Sequence, residues 1–321
     1  MNARCPGIFT TVDQRFLFRL FLVLQTFILI IYFGGKPVFS QEKNQERILV
    51  VAPHPDDEVL AMGGWLCDRT ASGSEVWAVF MTDGEAYPKA ARKRFKKPQF
   101  LLRAHDYRTL GKMRRIEAME SLKILKIPVE RSFFLGYPNG LLNRLKRQRD
   151  SRQLVRSSTT RQRYGKSLIQ GASRAIHGYC GSSLFRDVSR ILELSKPDII
   201  LIPHPQDTNS DHRATFGIVS QILNNRGEHI KLYGYLVHLI SSKFYPKPYG
   251  YRPDAGIVSP TGFPSPLEYF PSVQSIICKE KAIRCHKTQI KLGDGFLVSF
   301  IRKNEIYWNV SAEKYSPGKK R

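Results

Sequence analysis

RILVVAPHPDDEVLAMGG, residues 47–64, runs an apolar segment directly into an imidazole and three carboxylates. The part RILVVAPH (47–54) is short, continuous and rich in β-branched residues. That suits a strand buried on both faces, as in a parallel sheet. EVLAMGGWLCDRTASG (58–73) then carries apolar residues at helical spacing and stops at Gly73. EVWAVFMTDG (75–84) reads as a second strand that ends in a polar turn. Strand, helix, strand predicts a βαβ unit with parallel pairing and a right-handed crossover.

The same alternation continues outward. LGKMRRIEAMESLKILKI (110–127) predicts a helix with Met113, Ile116, Met119, Leu122 and Leu125 along its apolar face. RSFFLGYPNG (131–140) is a third strand and turn. Residues 141–181 are polar, basic and without clear periodicity, which predicts a long excursion or lid. A helix over 183–197, a buried strand DIILIPHP (198–205), a helix from Asp211 and a strand KLYGYLVHLI (231–240) follow. The Pro-rich stretch 246–271 reads as loop, 273–288 as a helix and GFLVSFIRKNEIYWNV (295–310) as hairpin-like. The fold class is α/β: a Rossmann-like, mostly parallel sheet with helices on both faces, plus a variable C-terminal part. In such sheets ligands bind outside the carboxyl ends of the strands. The polar clusters after residues 53, 82, 135 and 203 all fall there.

The 321 residues include 51 Lys plus Arg against 27 Asp plus Glu, a net charge of +24. Such a protein is drawn to anionic surfaces. The basic stretches 89–97 and 144–163 lack interleaved aromatics that would stack bases, so no nucleic-acid partner is expected. Anionic membrane or acidic polysaccharide is the expected attraction. Arg4, Arg15 and Arg19 precede the apolar run LFLVLQTFILIIYF (20–33), and the small-residue pattern at Val38 and Ser40 suits a cut before Gln41. Residues 1–40 therefore read as a signal peptide, with an uncleaved membrane anchor as the alternative, and 41–321 as the exported domain. Loss of residues 1–40 leaves a net charge of +21. Cys5 leaves with the segment. Cys67, Cys180, Cys278 and Cys285 are either disulfide-bonded or buried free thiols; their spacing fits no zinc knuckle.

Two clusters carry the chemistry. One is His54-Pro55-Asp56-Asp57-Glu58; the other is PHPQDTNSDHRAT (203–215), with His204, Asp207, Asn209, Asp211 and His212. Capping of a helix start explains a single acid. It does not explain His54, nor a second His/Asp cluster at the same sheet edge. A metal explains both: His54, Asp57 and His212 make a two-His, one-carboxylate set of the catalytic zinc type, which iron(II) also accepts. A dinucleotide enzyme is excluded, because the first turn has no glycine-rich loop and its acids would repel a pyrophosphate.

With PHPDDE (53–58), MTDGEA (81–86), LGYPNG (135–140), the HPQDT lead-in (204–208) and Asp211-His212, the chain resembles the PIG-L/LmbE-like zinc-dependent N-deacetylases. Pro53 stands where the family motif has alanine. The resemblance implies zinc on His54, Asp57 and His212, with Asp56 as general base. It implies removal of an acetyl group from an N-acetylglucosamine-type conjugate of an envelope glycan, glycolipid or exopolysaccharide precursor. A hydrolase for another acyl group, or a weakened glycan- or lipid-binding homologue, is the alternative. Asn209 stands where many members have a histidine that contacts the oxyanion, so His204 is a candidate substitute. Asn139 stands where an acid often holds sugar hydroxyls. Asp211 either orients a ligand or caps the helix. Asp83, Glu85 and Arg114 or Arg115 are candidates for contact with the substrate.

Overall fold

A computed structural model describes residues 45–167, 176–239 and 245–312. The expected signal peptide or anchor lies outside the described residues. Among those described, no helix is long and apolar enough to cross a membrane.

The predicted alternation is the observed one. Strands β1 (Arg47–Ala52), β2 (Glu75–Thr82), β3 (Ser132–Tyr137), β6 (Ile199–Pro203) and β7 (Lys231–Tyr235) run parallel in the spatial order β3-β2-β1-β6-β7. β9 (Glu305–Val310) and β8 (Leu267–Tyr269) extend the β7 edge in antiparallel fashion, which completes a seven-stranded sheet. Successive side chains of β1 enter opposite cores, as the two-residue period of a strand requires. Ile48, Val50 and Ala52 meet one apolar cluster, Leu49 and Val51 the other. Helices α1 (Asp57–Leu60), α2 (Gly63–Ala71), α4 (Ala104–Ile124) and α8 (Val273–Cys285) supply the first core. α5 (Leu142–Arg147), α6 (Gly181–Ser195) and α7 (Ser210–Arg226) supply the second. The chain leaves β1 towards β2 and β3, then returns to β6 on the other side. The crevice between β1 and β6 is therefore the topological switch point, where open α/β sheets hold ligands.

Several expectations change. The helix predicted over 58–73 is two helices, broken before Gly63. A side chain at Gly64 would meet Pro271 at 2.6 Å, so only glycine fits where the C-terminal part packs. Glu305 accepts from the backbone N–H groups of Gly64 and Trp65, both at 2.7 Å, and so caps α2 from β9. On α4 the buried face holds Leu110, Gly111, Arg114, Glu117, Ala118, Ser121 and Leu122, while Ile116 and Met119 are exposed. The helix turns polar residues inward because it borders the crevice as well as the core.

The excursion 141–181 is not a featureless lid in its described part. It contains α5 and the antiparallel pair β4 (Tyr164–Lys166) and β5 (Ile176–Gly178), with Val155, Ser157 and Thr160 buried. The hairpin expected over 295–310 is absent. Leu297–Phe300 forms a 3-10 turn, and β9 pairs with β7 and with β8, itself inside the stretch read as loop. Cys67 on α2 is disulfide-bonded to Cys278 on α8, while Cys180 and Cys285 are free.

Candidate metal and catalytic site

β1 delivers His54 to the crevice and α1 begins at Asp57. Between them Asp56 has φ 124°, outside the usual range for a residue with a side chain. Such a conformation costs on the order of 1–3 kcal/mol and persists only where neighbours enforce it. Here they do: the Asp56 N–H donates to Glu58 Oε2 at 2.8 Å, and Arg114 Nη2 bonds both Asp56 Oδ2 at 3.0 Å and Pro55 O at 2.6 Å. The strain turns Asp56 and Asp57 to different partners.

Asp57 Oδ2 lies 3.1 Å from His54 Nδ1 and 3.1 Å from His212 Nε2. One ligand atom from each of the three residues falls within 4.8 Å of the others. All three side chains are buried, and Asp57 Oδ1 has no hydrogen-bond partner, while His212 Nε2 meets only Asp57 Oδ2. Buried polar atoms without partners are rare and call for an explanation. A divalent cation supplies one, and two imidazoles with a carboxylate are an ordinary donor set for it. The donor set fits zinc and iron(II) alike.

Charges agree with that reading. Burial lowers the His54 pKa, but hydrogen bonds to Asp211 and Asp57 outweigh it and raise it to about 9. Burial likewise works against a charged His212, yet Asp207 and Asp57 raise its pKa well above the usual imidazole range. Burial would raise Asp57, but His212 and His54 hold it well below the usual carboxylate value. A cation of the same charge sign can take the place of the two imidazole protons, so metal uptake releases protons.

Asp56 differs. Burial raises its pKa to about 6, with Arg114 opposing and Asp57 adding to the rise. It is a buried carboxylate poised near neutrality, beside the trio.

The supporting groups come from both strand ends. Asp207 Oδ2 accepts from His212 Nδ1 at 3.1 Å and from the N–H groups of Val237 and His238 at 3.1 and 3.0 Å. It sets the His212 tautomer so that Nε2 faces Asp57. Asp211 accepts from Gly140 N at 2.6 Å and Leu142 N at 3.1 Å, and lies 3.4 Å from His54 Nε2. It therefore orients His54 and the 139–142 turn. The helix cap is Asn209, whose Oδ1 accepts from Asp211 N at 2.9 Å.

A cleft of about 240 Å3 opens on these groups, lined among others by His54, Asp56, Asp57, Asn139, Asn209 and His238. Of the predicted contact residues, four lie elsewhere: Asp83, Glu85, Arg115 and His204. Asp83 and Arg115 pair with each other at 2.6 Å and line a neighbouring groove with Glu85, Lys166 and Tyr179. Neighbouring residues on a helix diverge by about 100°, so Arg114 enters the cleft and Arg115 does not. His204 packs between Phe263 and Trp308, with ring centroids 5.1 and 5.0 Å away, and lies outside the cleft lining.

Two residues escaped the sequence reading. His238 lies in the cleft, its ring centroid 4.8 Å from that of His212. The rule used for the other clusters, polar residues just past a strand, would have found it after β7. His286 Nε2 lies 3.0 Å from Glu58 Oε1, behind Asp56. No local pattern in the sequence marks it, because α8 brings it in from far along the chain.

The family profile of PIG-L, described as GlcNAc-PI de-N-acetylase, matches residues 49–223, more than half of the chain. The chain belongs to the PIG-L family. It is thus a hydrolase of the deacetylase class. The PIG-L match spans both ligand clusters and ends before β7, so His238 and His286 come from outside it. Similar solved structures include an A40926 pseudoaglycone deacetylase, at 18% identity over 83% of this chain and 97% of that one, TM-score 0.51. N,N'-diacetylchitobiose deacetylase from Pyrococcus horikoshii has 18% identity over 97% and 98%, TM-score 0.50. A deacetylase in complex with teicoplanin has 14% identity over 83% and 98%, TM-score 0.51. At these identities they share the PIG-L fold with the chain. No curated protein matches it.

Proposed function

We propose that the protein is an exported, zinc-dependent enzyme that removes the N-acetyl group from an N-acetylglucosamine-type conjugate of an envelope glycan, glycolipid or exopolysaccharide precursor. The observation that carries this reading is the Asp56 carboxylate, held by Arg114 at 3.0 Å beside the His54–Asp57–His212 trio. His54, Asp57 and His212 hold the cation. A bound divalent cation lowers the pKa of water and polarises a carbonyl oxygen.

The remaining work falls to the chain. Asp56 accepts the proton of the water that attacks the acetamide carbon. A C–O bond forms, and charge grows on the carbonyl oxygen, where the Asn209 amide donates a hydrogen bond. Asp56 then returns the proton to the amine nitrogen as the C–N bond breaks and acetate leaves. Asn139 bonds a sugar hydroxyl. The Asp83–Arg115 pair contacts the conjugate beyond the reacting sugar. Asp211 serves by orienting His54 and the Asn139 turn.

Export is supported by the N-terminal apolar run and by the Cys67–Cys278 disulfide, a bond that persists in oxidising compartments. The net charge of +24 supports attraction to an anionic membrane or polysaccharide. The test joins metal analysis to acetate release on a panel of N-acetylglucosamine conjugates. One zinc per chain with acetate release supports the reading. A folded protein that binds no divalent cation refutes it. Release of a different acyl group moves it to another amidase specificity.

A further inference from the structure

The rim of the cleft has an unusual surface. Helix α3 (Pro88–Phe95) buries Ala90 and Ala91 against Tyr107 and Leu110 of α4. Its outer side carries Lys89, Arg92, Lys93 and Arg94, and Lys96 follows at its end, all exposed. Two nearby cations are neutralised: Lys89 by Asp294 at 2.7 Å and Lys97 by Asp106 at 2.9 Å. Arg92, Lys93 and Lys96 carry no ion pair among the described residues. Directly after them the 3-10 turn Gln99–Leu101 holds Phe100 with 82% of its surface in water and Leu101 with 45%. Pro98, at the start of that turn, lines one shallow hollow with Arg92, Lys93 and Lys96. Leu292 lines both this hollow and the catalytic cleft, and Tyr87, the residue before α3, lines the cleft as well.

We propose that this face docks on an anionic lipid bilayer. The cations meet headgroup phosphates, while Phe100 and Leu101 sink to the headgroup–acyl boundary. A surface of this kind binds through buried apolar area together with attraction to anionic lipid. Charge complementarity argues for an anionic partner, and the apolar pair selects among anionic partners. A polysaccharide in water would satisfy the cations and leave Phe100 and Leu101 exposed; a bilayer accommodates both. Because Leu292 and Tyr87 join the face to the cleft, the docked enzyme would hold its catalytic opening at the membrane surface. That consequence rests on the deacetylase reading, whereas the docking itself does not.

The test uses residues 45–321, a compact unit that contains both apolar cores. It leaves out the apolar run 20–33, which would bind lipid for its own reasons. Sedimentation with phosphatidylcholine vesicles, with and without phosphatidylglycerol, measures partitioning. Binding is expected only to the anionic vesicles, and to weaken as salt is raised. Arg92→Glu/Lys93→Glu/Lys96→Glu lowers partitioning about tenfold or more. Phe100→Ser/Leu101→Ser lowers what survives at high salt. Lys123→Glu/Arg147→Glu/Lys231→Glu makes the same change in net charge at exposed positions elsewhere and leaves binding within about twofold of the parent. Equal losses in both triple variants would show attraction by net charge alone and overturn the proposal. Binding to a soluble acidic polysaccharide but not to vesicles would overturn it too. Circular dichroism checks that each variant is folded. Acetate release from a water-soluble conjugate is measured in parallel, so failure to dock and failure of the deacetylase reading give different results.

Discussion

At the scale of single residues, Asp56 and Asp57 show how adjacent carboxylates acquire opposite character. Asp57 is held low by two imidazoles, whereas burial raises Asp56 to about 6. The positive φ of Asp56 makes this division possible by turning it to Arg114. Asp56→Asn keeps the shape and removes the proposed base. It is expected to lower kcat about 10²–10⁴-fold while bound metal is unchanged, which acetate release and metal analysis on one preparation would show. Unaltered turnover would assign the base elsewhere. Asp207 acts one step further out, through His212 Nδ1 at 3.1 Å. Asp207→Asn is expected to weaken metal affinity about 10–100-fold, read by competition with a chelator.

At the scale of elements, the C-terminal part fastens α2 and backs the turn that holds Asp56. Glu305 on β9 caps α2 and forms a fully buried ion pair with Lys279 of α8 at 2.7 Å. Removal of one member of such a pair leaves an uncompensated charge in the interior. Lys279→Met is therefore expected to cost about 3–5 kcal/mol in urea unfolding. A loss below about 1 kcal/mol would mean that the two N–H groups of α2 suffice to hold the carboxylate. Sequence pattern showed the parallel strands well, because continuous apolar runs are what two-faced burial demands. It failed for β8, a short, largely exposed edge strand, and it gave β9 a local hairpin partner where the fold sets it between β7 and β8. It also misplaced the face of α4, where Arg114 and Glu117 are buried by polar partners that periodicity does not register.

At the scale of the whole molecule, two cores grip one sheet, and acid weakens the join at its β7 edge. His204 packs between Phe263 and Trp308, and its Nδ1 accepts from Gln206 N at 3.2 Å, so the ring is neutral. Burial lowers its pKa from 6.5 to about 4. The unfolded chain takes up the proton first. The contribution of the neutral ring is whole above pH 6.5 and is lost as pH falls towards 4. The parent is expected to lose about 1–3 kcal/mol more than His204→Gln between neutral pH and the lower of those values, by urea unfolding at several pH values. Parallel curves for the two proteins would show that the ring titrates normally.

The sequence by itself determined the α/β class, the strand ends that carry chemistry and the trio His54, Asp57 and His212. These are local signals: apolar runs, their period, and His and Asp side chains clustered shortly after them. Tertiary structure alone decided which neighbours those groups meet. It chose Arg114 over Arg115 because a helix turns about 100° per residue. It turned His204 into packing, brought His238 into the cleft, and set His286 behind Glu58 from more than two hundred residues away. It also paired Cys67 with Cys278 across 211 residues. Such pairings depend on how elements stack around the sheet, and no local spacing encodes that.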